Sequence, residues 1–385
     1  MTVYTPRMIM INGKGGVGKT TISTAMAKWF ASTGFRTVLV STDPAASVGD
    51  CLRKDVGNEL KAISNNLWAV EIDGEYEYKK LYTYIKNNTK NDIEKFITEK
   101  GAPGMSEMSA LFRCLMFLYD LNYDVIIIDT APTGHTEEVI QLPTTLRETL
   151  EGLQKALTSV NMWKNLFSGN AVKKTDKRLN TLKDCVDALH RILTDPGTTH
   201  FNLVSVPEWM ALREEVRAFN YFTEHNVVPR NIIMNKVQPP NPDCPFCTEI
   251  RKQHEVYLSK MDSQFSKYDV GIPRIMLYPN EISGDPFLLD IGSKLMKQIH
   301  NIDVKKAYHV QSADDIAHVY TQLPYIAPNN LRFSTKGDVL YMTVTYGLHE
   351  DVVNALSFKR FAREIGEVKA DNLNGKLYLQ VRKKA

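Results

Sequence analysis

The stretch INGKGGVGKTTIS, residues 11–23, follows the apolar run Met8-Ile9-Met10-Ile11 and leads into TTISTAMAKWFAS. The first run has the character of a short buried strand and the second that of a helix. Between them Gly13, four further residues, and then Gly18-Lys19-Thr20 give the spacing of a phosphate-binding loop in its strand–loop–helix context. Glycines let backbone N–H groups turn inward and approach phosphates closely, and a helix N-terminus adds partial positive charge. Gly13, Lys14, Gly15, Gly16, Val17, Gly18, Lys19, Thr20 and Thr21 are therefore the candidate nucleotide contacts. Within them Lys19 is placed to bridge the β- and γ-phosphates and the Thr20 hydroxyl to ligate Mg²⁺. A glycine-rich turn without a nucleotide is the plainer alternative, and pattern and context together argue against it. Lys14 is left over, because one loop does not readily aim two ammonium groups at its own nucleotide.

The chain has 385 residues, enough for one large α/β domain and an appendage. Hydrophobic content of 43% and charged content of 24% are ordinary for a globular protein. A formal net charge of +3 is too small to imply nucleic-acid binding, and the basic run VKKTDKR from Val172 has the simpler explanation of a solvated helix end or loop. The opening MTVYTPR carries no signal-peptide pattern, and no apolar run approaches the ~18 residues that span a bilayer. The expectation is a cytoplasmic protein. Five cysteines, an odd number in a long chain, argue against a disulfide framework.

Strand-like and helix-like segments alternate over roughly the first 280 residues, which predicts a doubly wound, mostly parallel α/β sheet covered on both faces. Strands are expected at 37–42, 67–72, 124–129, 202–206, 231–235 and 274–278, several of them continuous aliphatic runs. Two helical stretches, about 75–119 and 144–193, interrupt this rhythm as an inserted helical subdomain. Their apolar stripes suit core packing, yet Met105, Met108, Met116, Met162, Trp163, Leu166 and Phe167 also suit a surface that accepts varied apolar partners. The expected division is an ATPase-like domain over residues 1–323 and a small β-rich C-terminal module over 324–385, with PYIAPNN as linker. Within the module, Asn374-Gly375 marks a hairpin turn, followed by a strand alternating Leu377, Leu379 and Val381.

Two acidic loops follow expected strands. In STDPAAS, Asp43 is either the group that orients an attacking water or a turn aspartate before Pro44. IIIDTAPTGHT is an aliphatic run ending in Asp129, the form in which a carboxylate holds Mg²⁺, and Pro132 and Gly134 shape the turn behind it. In NPDCPFCTE, Cys244 and Cys247 are half of a tetrahedral zinc site, a redox dithiol, or two reduced surface thiols, and His254 is a possible third ligand. Asn235 in NKVQP and Pro279 in LYPNEISG end late strands and are candidates to flank a nucleotide base, although a strand-end asparagine is usually a turn residue.

KGGVGKTT with its extra lysine resembles the deviant phosphate-loop class, and STDPAAS, PGMSE, NYDVIIIDTAPTGHT with QLP after it, and CPFC resemble the arsenite-pump and guided-entry ATPases that target tail-anchored proteins. The likeness runs from about Met8 to Leu289. It implies that Lys14 reaches across a homodimer to the partner's phosphates, that Asp43 drives hydrolysis, and that Cys244 and Cys247 share one zinc with their symmetry mates. It further implies that Asn235 contacts adenine, that the Met-rich helices shelter a client's transmembrane helix, and that a membrane receptor exists. The activity implied is ATP hydrolysis with Mg²⁺ that opens and closes a targeting factor or holdase, with no nucleic-acid partner.

The chain departs from the family in carrying Ala46 where DPAHS has a histidine, and in having one nucleotide domain where the bacterial pump has two. Cys51, Cys114 and Cys185 do not match the pump's metalloid triad. An arsenite- or antimonite-efflux ATPase and a Min- or Par-like positioning ATPase remain alternatives, the latter disfavoured by a β-rich C-terminus. GEVKADNLNGKLYLQVRKK resembles the closing hairpin of an α-crystallin-like domain, with a plain sheet-capping extension as the alternative.

Overall fold

Aliphatic runs that must bury both faces pair as central parallel strands, and polar loops carry the chain between them. The structure, a computed structural model of the chain, describes residues 5–43, 45, 47–88, 105–131, 186–241, 243–299, 302–313, 315–324, 326, 328–345, 351–358 and 364–384. The described chain divides into two compact units. One gathers residues up to 73 with 122–137 and 194–307, and the other gathers 74–121, 138–193 and 308–385.

The first unit is built on strands β1 (Met8–Gly13), β2 (Thr37–Ser41), β3 (Lys61–Ser64), β4 (Leu67–Glu71), β5 (Val125–Asp129), β6 (Thr199–Ser205), β7 (Asn231–Val237) and β8 (Arg274–Met276). Their order across one sheet is β3-β4-β2-β5-β1-β6-β7-β8. Every pairing is parallel except β3–β4. The doubly wound, mostly parallel sheet expected from the alternating pattern is therefore present. β1, β2 and β5 are buried along their whole lengths, which is why they lack any polar alternation. β3 went unrecognised in the sequence, although Asn65-Asn66 carries a hairpin signal and Asn66 adopts φ 60.

Helices α1 (Lys19–Ser32) and α2 (Val48–Leu52) follow β1 and β2. The second unit contributes α3 (Gly74–Asn88), α4 (Met105–Tyr119) and, spanning the boundary, α5 (residues 186–194). Next in sequence come α6 (Trp209–Glu224), α7 (Pro245–Phe265) and α8 (Phe287–Met296) of the first unit. Gly292 lets α8 lie against α1, because a Cβ there would fall 2.4 Å from the Ala25 carbonyl oxygen.

One buried carboxylate ties this unit together. Asp124, at the foot of β5, accepts from the Arg36 side chain (2.7 and 3.2 Å), the Arg36 amide (2.9 Å), the Ala307 amide (2.9 Å) and Lys306 Nζ (3.2 Å). Burial pushes its pKa up, but the hydrogen bonds from Arg36 and Ala307 outweigh that and hold the carboxyl at about 2. A carboxyl depressed by folding stabilises the protein above its unfolded value near 4 and loses that contribution as pH falls towards 2. Asp124→Ala, which removes the buried acceptor of the Arg36 and Ala307 hydrogen bonds, is expected to cost about 3–5 kcal/mol. It should also flatten the acid limb of a stability–pH curve measured by urea melts, and an unchanged limb would refute the assignment.

In the second unit, α3 packs on α4, with Arg113 paired to the buried Glu77. Seven antiparallel strands form two further sheets. β14 (Ile365–Leu373), β15 (Lys376–Lys383), β10 (Ile316–Pro324) and β9 (Tyr308–Ala313) make the larger sheet. β11 (Leu331–Lys336), β12 (Val339–Val344) and β13 (Val352–Ser357) make the smaller. The β14–β15 hairpin turns at Asn374 and Gly375, both at positive φ, and Leu377, Leu379 and Val381 point inward as the alternation predicts.

The division expected between 323 and 324 falls inside β10, whose pairing with β15 carries it through Pro324. The β-rich module begins at Tyr308, and it is not an appendage. α4 packs on β10, and the buried Asn354 of β13 receives the Leu121 N–H (2.6 Å) and donates to the Tyr119 carbonyl (3.0 Å) at the end of α4. PYIAPNN is likewise no linker, since Ile326 is buried and Pro328–Asn330 form a 3₁₀ turn.

Met108 of α4 is buried, while Met105 and Met116 are half-buried. Pro132, Gly134, Met162, Trp163, Leu166, Phe167, Cys185, Ala46 and most of the 144–193 stretch lie outside the described residues. Among the described residues no helix is long and apolar enough to cross a membrane.

Candidate nucleotide site

The phosphate loop leaves β1 at Gly13 and enters α1 at Lys19. A Cβ at Gly13 would sit 2.2 Å from the Val204 carbonyl of neighbouring β6, so no other residue fits there. Gly16 and Gly18 take φ 81 and φ 97, where side chains are strained. Gly18 is the N-cap of α1, which has no side-chain cap and no acidic residue in its first turn. A helix start with open amides and no competing anion is an anion-binding site.

Three side-chain donors hold the carbonyls of this loop. Lys19 Nζ donates to the Lys14 carbonyl at 3.2 Å, Lys236 Nζ to Gly16 at 2.7 Å, and Asn235 Nδ2 to Val17 at 2.9 Å. Lys236, in the left-handed region at φ 55, was not singled out in the sequence. Its only signal there was adjacency to Asn235. Asn235 thus spends one amide N–H on the loop. Gly15 is open to solvent, Val17 is buried beneath the loop, and Thr21 lies in the first turn of α1 beside the Cys51 thiol. Pro279 is exposed in the loop after β8, next in the sheet to β7.

Lys14 and Lys19 have different environments. Lys19 is 6% exposed, and burial lowers its pKa against the attraction of Asp129, Asp43 and Glu215. Lys14 turns away from the loop and pairs with Glu214 of α6 at 2.8 Å, half exposed. The neighbouring Glu215 is buried, and burial, reinforced by Glu214, pushes its carboxyl up to about 8. Glu215 was also missed. It falls on the buried stripe Ala211, Leu212, Ala218, Phe219 and Phe222, so its helical spacing was the signal.

Asp129 ends β5 with its carboxylate buried. Thr20 Oγ1 donates to Oδ2 at 2.7 Å, and Oδ1 has no hydrogen-bond partner among the described residues. Burial raises its pKa to about 7, against Thr20 and Lys19 and with Asp43 adding to the rise. A buried carboxylate with an unsatisfied oxygen beside a hydroxyl is costly when nothing cationic is present. The pair is a hard-oxygen donor set, and it fits a divalent cation. Ser47 Oγ lies 3.1 Å from Thr20 Oγ1 and adds a second hydroxyl.

Asp43 sits beyond β2, close enough to influence both Lys19 and Asp129. Its Oδ1 accepts the Ala45 N–H at 3.0 Å, the pattern of an Asx turn. Thr42 N–H donates to the Asp129 carbonyl at 2.9 Å and ties this loop to the end of β5.

The cysteine pair opens α7. Cys244 is its N-cap, and its Sγ accepts the Cys247 N–H at 3.2 Å. Hydrogen bonds from Cys247 hold the Cys244 thiol below its ordinary value. Among the described residues no group of three or more His, Cys, Asp or Glu is placed to hold a metal. His254 Nδ1 is occupied by the Gln238 N–H at 3.0 Å. Cys51 and Cys114 are buried, and burial pushes their thiols up to about 11 and about 12.

Residues 6–297 match the family described as anion-transporting ATPase. An ATPase ASNA1 homolog 1 from Paramecium tetraurelia is 30% identical over 76% of this chain and 93% of its own length. An ATPase get3 from Schizosaccharomyces japonicus is 27% identical over 75% of this chain and 92% of its own. A putative arsenical pump-driving ATPase from Halobacterium salinarum is 29% identical over 74% of this chain, but over only 43% of its own length.

Proposed function

The chain belongs to the anion-transporting ATPase family, and from that premise we propose that it works as a homodimer which shelters the transmembrane segment of tail-anchored membrane proteins. It holds or delivers these clients to a membrane receptor, and such a role is cytoplasmic. ATP hydrolysis is its activity. What carries the proposal is Lys14. Its ammonium leaves its own phosphate loop for Glu214, at the surface, where a second copy of the chain can offer it phosphates. Closing two subunits over ATP then joins their helical regions into one apolar surface, and hydrolysis loosens it.

Mg²⁺, when bound, neutralises charge that develops on the β- and γ-phosphates. Thr20 and Asp129 would hold it. Lys19 holds the phosphates, Asp43 orients the attacking water, and Asn235 and Pro279 flank the base. Cys244 and Cys247 would supply two of four zinc ligands, with the partner's pair supplying the others. The dimer is expected to hold one zinc per two chains by elemental analysis. Cys244→Ser with Cys247→Ser should lose that zinc and shift gel filtration towards monomer. A zinc-free wild-type dimer would refute the shared site.

Cys51 and Cys114 do not favour the arsenite alternative, because both are buried with raised pKa values. The deciding experiment co-expresses the protein with a tail-anchored substrate and purifies it with ATP and Mg²⁺. Retention that disappears when the anchor is made polar supports the client reading. No retention by a dimer that binds ATP overturns it.

A further inference from the structure

A serine that begins a helix normally spends its hydroxyl on the N–H groups of the first turn. Ser47 begins α2 and makes no such bond. Its hydroxyl lies 3.1 Å from Thr20 Oγ1 instead. The first-turn amides are satisfied by another residue. Glu71, at the end of β4, accepts the Val48 N–H at 2.9 Å and the Gly49 N–H at 3.0 Å through one carboxylate oxygen. Glu71 is itself fixed. It lies opposite Ser41 in the β2–β4 register, and its N–H donates to the Gly57 carbonyl at 2.9 Å.

These contacts bracket the loop that carries Asp43. Its N-terminal root is held by the Thr42 N–H on the Asp129 carbonyl, and its C-terminal root by Glu71 on Val48 and Gly49. Both roots therefore rest on strands of the central sheet. We propose that Glu71 is a positioning residue for hydrolysis: by capping α2 in place of Ser47, it fixes the Asp43 loop and frees the Ser47 hydroxyl for the Thr20–Asp129 cation site. The inference rests on the reading of Asp43 as the water-orienting group.

The test compares Glu71→Ala, Glu71→Gln, Ser47→Ala and Asp43→Asn in the full-length protein. Steady-state ATP hydrolysis is titrated separately with ATP and with Mg²⁺, alongside nucleotide affinity and melting temperature. Losing two charge-assisted hydrogen bonds at the loop root is expected to lower kcat in Glu71→Ala by about tenfold or more. Nucleotide affinity should stay within about threefold, because the phosphate loop is untouched. Glu71→Gln keeps an acceptor oxygen and should recover most of kcat. Ser47→Ala should raise the Mg²⁺ concentration needed for half-maximal turnover.

A merely structural role predicts otherwise. Glu71→Ala would then lose affinity and turnover together with melting temperature, and Glu71→Gln would be no better, which overturns the proposal. If Glu71→Ala does not fold, Ser47→Ala decides, since an unchanged Mg²⁺ requirement also overturns it. Normal hydrolysis by Asp43→Asn defeats the underlying reading. An inactive Asp43→Asn beside a fully active Glu71→Ala defeats the positioning role alone.

Discussion

Lys19→Ala is expected to lower ATP turnover by about 10²–10³-fold, the cost of removing one preorganised donor from developing charge. Lys19 is the only lysine of the loop directed inward, with its ammonium anchored on the Lys14 carbonyl at 3.2 Å. Lys14 does not replace it, because its side chain is engaged outside the loop by Glu214. The loss reaches beyond one hydrogen bond. Lys19 also lowers the pKa of Asp129, so its removal leaves that buried carboxylate less able to ionise and to hold a cation. Folding should be little affected, since burial already disfavours the Lys19 ammonium. Steady-state phosphate release, with circular dichroism to check the fold, tests this. Turnover within a few-fold of wild type would sink the assignment.

Asp43→Asn is expected to lower kcat by about 10²–10⁴-fold while nucleotide binding persists, the range for losing a positioned general base. Asparagine is the informative replacement. It retains an Oδ1 acceptor for the Ala45 N–H, so the Asx turn survives and only the charge is removed. Alanine would remove the turn as well and confuse the two effects. With chemistry blocked, ATP-bound protein should accumulate as a closed dimer that survives gel filtration with uncleaved nucleotide. Single-turnover phosphate release at the normal rate would remove Asp43 from the mechanism and leave it as a turn residue.

Much of the first unit was legible because its strands announce themselves. Continuous aliphatic runs such as Val125–Ile128 have no explanation except burial on both faces, and strand–loop–helix spacing around Gly13–Lys19 admits few geometries. Glu215 and Lys236 were hidden for a different reason. A glutamate beside another glutamate resembles any solvated helix position until its neighbours on the helix are seen to be buried. A lysine at a strand end shows its target only when the loop it touches is in place. The domain division failed because two prolines and paired asparagines look like a linker locally. The pairing of β10 with β15, which sets His318 against the Tyr378 hydroxyl 60 residues later, is a long-range fact that composition does not carry.

The sequence by itself determined the parallel sheet, the phosphate loop, the acidic strand ends and the C-terminal hairpin, since each is set by contacts among near neighbours or by backbone needs of particular residues. The tertiary structure alone decided which lysine faces the loop interior, that the C-terminal strands begin at Tyr308 and share a unit with α3 and α4, and that Glu71 caps α2 in place of Ser47. Each of those choices joins residues distant in sequence, and burial and hydrogen-bond satisfaction select among such partners only once the chain is folded.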